Sequence, residues 1–236
     1  MKALAIETAT EACSVALHID GATHELHEIV PRKHTERLLP MAQQLLDEAG
    51  LTIEQLDFIT FGRGPGAFTG VRIAASAAQG MALGADLPVV PVSTLAVLAQ
   101  GCINETDATT ILSVIDARMG EVYWSIYKPN GNGLAVLTQS ECVVHPDEVV
   151  VDLESDIDIS GEVAAVGSAW RVYKDQLSAK SPKQISCYLD DIYPHAENLM
   201  QLALPEFENG GGVAPELALP VYLRDNVAKK STKKIV

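Results

Sequence analysis

The stretch with the most specific chemistry is Thr60-Phe-Gly-Arg-Gly-Pro-Gly-Ala-Phe-Thr-Gly-Val-Arg-Ile-Ala-Ala-Ser-Ala-Ala-Gln-Gly-Met-Ala-Leu-Gly84. Its glycines at 62, 64 and 66 allow close backbone approach, and Pro65 fixes φ and lacks an N–H. Residues 62–66 are therefore neither helix nor central strand. A strand over Asp57 to Phe61 is expected before them, and a helix over residues 70–83, capped by Thr69, after them. Strand, glycine turn and helix N-terminus is a geometry that can receive an anion. A tight turn that binds nothing is the alternative. Two further turns carry reactive groups. Glu7-Thr-Ala-Thr-Glu11 closes a short apolar strand with carboxylates and hydroxyls, and Asp116-Ala-Arg-Met-Gly-Glu121 closes another. Glu7, Thr8 and Asp116 could supply the base and the metal–phosphate contacts of a phosphoryl-transfer site.

Other chemistries find less support. The six histidines, at 18, 24, 27, 34, 145 and 195, include no H-x-x-x-H pair, and His34 is expected at a surface or cap. Cys13, Cys102, Cys142 and Cys187 form no C-x-x-C, which argues against a zinc ribbon or disulfide frame and suits a reducing cytoplasm. No serine or cysteine has a neighbouring histidine to serve as a peptidase base.

The elements that must position these groups follow from the apolar pattern. Ala3 to Ile6, Cys13 to Ile19 and Thr23 to Val30 are strands, the last two joined by Asp20-Gly21, a strong hairpin signal. His34 to Ala49 is an amphipathic helix stopped by Gly50, with Pro40 expected to bend its early turns. Leu39 and Met41 lie off its main stripe. Leu87 to Val92 reads as an edge strand, and Ser93 or Thr94 caps a helix reaching about Cys102. The polar run 104–109 is the expected boundary between lobes. Beyond it come strands at 111–115, 122–127, 134–144 and 163–166, with helices near 146–153, 171–179 and 195–204. The order β-β-β-α-β-α thus occurs twice. The expected division is an N-terminal lobe 1–104, a C-terminal lobe 105–225 and a basic, disordered tail 226–236. Duplicated α/β halves enclose a cleft, where ligands usually bind.

Among the 236 residues, 47% are hydrophobic and mean hydropathy is +0.14, enough for a sizeable core. No apolar run reaches the ~18 residues that span a bilayer. The formal charge of −14 disfavours extensive direct contact with phosphate backbones. Basic residues gather only in Lys229-Lys-Ser-Thr-Lys-Lys234.

Ile6-Glu-Thr-Ala-Thr10, Gly62-Arg-Gly-Pro-Gly-Ala-Phe-Thr-Gly-Val-Arg72, Asp116-Ala-Arg-Met-Gly-Glu-Val-Tyr123 and Pro220-Val-Tyr-Leu-Arg224 together resemble the TsaB (YeaZ) family, from Met1 to about Val227. The resemblance implies a duplicated actin, sugar kinase and Hsp70-like ATPase fold: two α/β lobes, each a mixed sheet flanked by helices. It implies a cytoplasmic, non-catalytic scaffold for threonylcarbamoyladenosine modification of tRNAs that read codons beginning with adenosine. Its implied partners are the paralogous catalytic subunit TsaD and the ATPase TsaE. tRNA is reached only through the complex, and no cofactor is held by the chain alone, ATP being used by the assembly. The paralogue's paired histidines correspond to Thr94 and Leu98, so no metal is expected. The implied nucleotide-cleft positions, Glu7, Thr8, Thr10, Asp116 and Gly167, are degenerate. Glu7 stands where relatives have aspartate, Gly167 lacks a paired glycine, and Arg118 is placed to neutralise Asp116. The implied partner surface is Leu38, Leu39, Met41, Ala42 and Leu45 on one helix with Ala74, Ala75 and Ala78 on the next, serving a homodimer when the paralogue is absent. The alternative function is a cleft-bound ATP hydrolase or small-molecule kinase of the same fold.

Overall fold

A computed structural model describes residues 1–149, 161–181 and 185–224. The first run is β1 (Lys2–Glu7), β2 (Ala12–Ile19), β3 (Ala22–Ile29), α1 (His34–Ala49), β4 (Phe58–Gly62), α2 (Phe68–Ala85), β5 (Val89–Val92) and α3 (Thr94–Glu105). The second is β6 (Thr110–Arg118), β7 (Glu121–Pro129), β8 (Ala135–Val144), β9 (Val163–Val166), α4 (Ala169–Lys180), β10 (Cys187–Leu189) and α5 (Ala196–Glu208). The sequence reading omits β10. Of the helix expected over 146–153, Pro146–Glu148 forms a single 3-10 turn, and residues 150–153 lie outside the described region, as does the basic tail.

The strands form two five-stranded sheets, β3-β2-β1-β4-β5 and β8-β7-β6-β9-β10, so the second repeats the path of the first. In each, antiparallel hairpins feed a strand that then pairs in parallel. Alternation along β1 sorts the faces. Leu4 and Ile6 join the core beneath α1 and α2, whereas Ala3 and Ala5 meet Leu199, Met200 and Ala203 of α5. Along β6, Leu112 and Val114 face Trp170 and Leu177 of α4, and Ile111 and Ile115 face Leu95, Leu98 and Cys102 of α3. The layers therefore run α1/α2, first sheet, α3/α5, second sheet, α4.

The middle layer departs from the expected lobe division. The strands separate near residue 105, but α3 lies mainly on the second sheet and α5 on the first. Val213 also pairs with Val89, and Val221 donates its N–H to the Arg63 carbonyl at 2.9 Å. The chain beyond residue 195 thus returns to the first lobe, because the small residues on that face of β1 leave room for a close helix.

Two local expectations change. Ala67, rather than Thr69, is the N-cap of α2, with no side-chain cap, and its N–H bonds the Ala9 carbonyl at 2.7 Å. His34 is buried, its Nε2 lying 3.1 Å from the Ala12 carbonyl, so it ties the start of α1 to β2.

Candidate functional site

A cleft of about 870 Å³ opens between the lobes. One wall carries Thr10 and Glu11 from the first turn together with Phe68 and Arg72 of α2, and the other carries Asp116 and Arg118 from the β6–β7 turn. Its floor is built from all four motifs. Ala67 joins the first turn to the glycine loop, and Pro220–Arg224 straps the lobes together: Val221 bonds Arg63 on one side, and Arg224 donates to the Ala117 and Arg118 carbonyls and to Glu121 on the other. That strap holds a turn whose Arg118 and Met119, at φ of 62° and 59°, both occupy the left-handed region costly to L-residues. The Asp116 carboxylate accepts from the Arg118 N–H at 2.9 Å and its guanidinium at 3.1 Å. Arg118 also reaches across to Glu11 at 3.0 Å, an exposed pair of small energetic weight.

The five cleft positions expected from the sequence do not come together. Thr10 and Asp116 line the cavity, but Glu7, Thr8 and Gly167 lie behind it. Alternation along β1 turns Glu7 towards α3, where its carboxylate accepts from the Ala9 N–H at 2.6 Å and the Thr94 hydroxyl at 3.2 Å. Burial raises its pKa to about 7, against the smaller opposing pull of those hydrogen bonds. Thr8 is spent on the Gly70 carbonyl at 2.7 Å. Gly167, at φ 106°, sits so close to β6 that a Cβ would stand 2.4 Å from the Val114 carbonyl oxygen. Its smallness serves packing rather than an adenosine platform.

The glycine loop has an internal occupant. A Cβ on Gly62 would lie 1.8 Å from Glu7 Oε2, one on Gly66 2.5 Å from the Ala9 oxygen, and one on Gly70 2.0 Å from the Thr8 oxygen. Glycines four residues apart thus cradle the chain's own first turn, Gly66 and Gly70 against its backbone and Gly62 against the Glu7 carboxylate.

The expected partner surface also needs correction. Leu38, Met41, Ala42 and Leu45 of α1, and Ala74, Ala75 and Ala78 of α2, are buried in the first lobe's core. Of the eight, only Leu39 is exposed, at 54%. Thr35 and Leu39 of α1 face Phe68, Ile73, Ser76 and Ala77 of α2 across a shallow apolar groove of about 510 Å³. The helix stripe obscured this groove, because the i, i+3, i+4, i+7 pattern marks the core-facing side.

Comparison with known proteins places these features in context. Residues 24–232 match the family model described as TsaD: tRNA N6-adenosine threonylcarbamoyltransferase. The chain is 45% identical to the tRNA threonylcarbamoyladenosine biosynthesis protein TsaB of Escherichia coli K12, over 98% of this chain and 97% of that protein. It is 37% identical to the protein of the same name from Haemophilus influenzae, over 96% and 95%. Among solved structures, YeaZ from Pseudomonas aeruginosa superposes with a TM-score of 0.86 at 43% identity, covering 94% of this chain and 99% of that one. The described residues contain no helix long and apolar enough to cross a membrane.

Proposed function

The chain belongs to the TsaB family of tRNA threonylcarbamoyladenosine biosynthesis proteins, and on that premise we propose that it is a non-catalytic scaffold of the pathway. It acts by binding a TsaD-type catalytic paralogue and, with it, a TsaE-type ATPase. The single observation that carries this reading is the filled glycine cradle. Backbone that a phosphate-binding loop would turn towards a nucleotide is packed instead against residues 7–9. The buried Glu7 is correspondingly withdrawn from the cleft. Thr94 and Leu98 offer no imidazole, and the Pro220–Arg224 strap joins lobes that a kinase or ATP hydrolase moves against one another. A peptidase reading gains nothing either: Ser14, beside His195, donates its hydroxyl to Glu25 rather than to a ring nitrogen.

The groove between α1 and α2 is the proposed docking face for the paralogue's corresponding helices. Leu39 and Phe68, 54% and 57% exposed, are its apolar anchors, and Ser76 and Ala77 permit close helix approach. With no paralogue present, a second copy occupies the same face as a two-fold dimer. tRNA is gripped by the other subunits, in keeping with the charge of −14, and ATP is consumed by the assembly.

The test uses Leu39→Glu and Ala77→Arg, each confirmed to be folded by circular dichroism. Met41→Glu and Ala75→Arg would break the core and report nothing about the surface. Each groove variant is expected to be monomeric, to lose roughly 100-fold or more in affinity for the paralogue, and to fail to support tRNA modification in a reconstituted assay. The isolated wild-type chain is expected to show no metal-dependent ATP turnover. Folded groove variants that bind normally would move the interface elsewhere. Turnover abolished by Asp116→Ala would replace the scaffold with the hydrolase.

A further inference from the structure

On the first lobe, away from the cleft, β3 and the start of α5 bring together Glu25, His27 and His195. Positions two apart on a strand share a face, so Glu25 and His27 stand side by side on β3. His195 arrives from 170 residues away in sequence from Glu25, as the N-cap of α5. One ligand atom from each lies within 4.8 Å of the others. His195 Nδ1 is 2.8 Å from Glu25 Oε2, and the two imidazole rings stack at 3.9 Å with 8° between their planes.

Two features distinguish this cluster from an ordinary buried polar network. The first is that His27 Nδ1 is enclosed with no hydrogen-bond partner. An orphaned ring nitrogen is costly to bury and offers a lone pair. The second is that the carboxylate is already oriented from behind. Glu25 Oε1 accepts from the Ser14 hydroxyl at 2.6 Å and the Glu197 N–H at 3.1 Å, while Ser14 Oγ accepts from the Ala196 N–H at 2.9 Å. Hydrogen bonds of this kind hold a ligating carboxylate in place. The His195 side chain is 37% exposed and that of Glu25 13%, so the cluster is reachable from solvent. Glu105 and Glu197 add negative field near His195.

We propose that Glu25, His27 and His195 bind a late first-row divalent cation of the zinc class. Two imidazoles and one carboxylate suit Zn²⁺, Co²⁺ or Ni²⁺ rather than Mg²⁺ or Ca²⁺, and leave a fourth position for water. Tetrahedral ligands at ~2.0–2.1 Å from the ion stand roughly 3.3 Å apart, so the cluster must contract and the rings must leave their parallel stack for both lone pairs to converge. His195, the more exposed partner, makes that turn. The ion then pins the N-terminus of α5 to the edge strand of the first sheet. Nothing in this proposal depends on the scaffold reading.

The test is titration of the tag-free, chelator-treated full chain with Zn²⁺ by calorimetry and with Co²⁺ by visible absorption, Mg²⁺ serving as the comparator. The expected result is one Zn²⁺ per chain, a tetrahedral Co²⁺ spectrum, a higher melting temperature with Zn²⁺ and no response to Mg²⁺. His27→Ala and His195→Ala are each expected to weaken binding at least ~100-fold, since changes one layer further out already cost ~10–100-fold. His24→Ala, exposed on the opposite face of β3, is expected to bind as wild type. Should His27→Ala fail to fold, His27→Gln serves in its place, and the wild-type Co²⁺ spectrum already decides the coordination class. No binding by wild type, an octahedral Co²⁺ spectrum, or binding that survives both histidine substitutions overturns the proposal.

Discussion

Replacing Gly70 with alanine is expected to destabilise the protein by about 3 kcal/mol or more, whereas the same change at Gly80, in the same helix, is expected to stabilise it by about 0.5–1 kcal/mol. Helix propensity alone favours alanine at both places. What separates them is space. Around a Cβ at position 80 nothing lies within 4 Å, but at position 70 it would stand 2.0 Å from the Thr8 carbonyl oxygen and 3.1 Å from the Thr8 carbonyl carbon. Both are backbone atoms of the strand end on which α2 is docked, so no rotamer change relieves the clash. Retreat of α2 would also break the Thr8 hydroxyl bond to Gly70 and the Ala67 bond to Ala9. Urea denaturation of the two variants checks the sign of each effect. Equal shifts at both sites would show that residues 8 and 9 yield freely, and the filled cradle would lose its meaning.

Glu7→Gln is expected to raise stability by roughly 3 kcal/mol above neutral pH and to leave it nearly unchanged near pH 4. Burial holds the folded carboxyl near a pKa of about 7, against 4.5 as the ordinary value. The folded state therefore prefers the protonated acid. Stability from this preference is complete below the unfolded pKa and is lost as pH rises from about 4.5 to about 7. Glutamine keeps the acceptor for the Ala9 N–H but never acquires the charge. For a chain of this length the difference amounts to roughly 6–12 °C in melting temperature. Thermal melts of both proteins at acid and mildly alkaline pH measure it. Parallel pH profiles would mean that Glu7 is not desolvated as the fold implies.

These variants bear on how much could be read from the chain alone. The repeated strand order was legible because short apolar runs and the Asp20-Gly21 turn are local signals. The glycine loop was legible for the same reason, but its occupant was not. Spacing announces that something approaches Gly62, Gly66 and Gly70 without saying whether it is a phosphate or residues 7–9. The direction in which Glu7 points follows only once β1 is known to have helices on both faces. On α1, the stripe through Leu38, Ala42, Leu45 and Leu46 was real, but it was wider than read: Met41, taken to lie off it, is buried with the rest against the first sheet. The groove beside it is marked by Leu39 and Phe68, which sit on different helices and show no shared periodicity. His195 gave no signal at all. Its partners on β3 are two apart from each other but 170 and 168 positions from it, a distance no local pattern bridges.

The crossing of α3 and α5 into each other's half sets the order in which the protein can mature on the ribosome. A nascent chain that has emerged through residue 109 holds every strand of the first sheet, yet Ala3, Ala5, Ala16 and Phe58 still lack the helix that covers them. That cover comes with Leu199, Met200 and Ala203 of α5, which are synthesised only after every strand of the second sheet. Helix α3 is in the converse position, synthesised before any of the second sheet it rests on. Neither half is a self-sufficient folding unit, despite the twofold repeat in its topology. Stalled nascent chains ending near residue 109 are accordingly expected to remain open to limited proteolysis, with protection arriving only after α5 clears the exit tunnel. Early protection would mean that the first sheet closes on its own, and that the two halves still mature as separable modules.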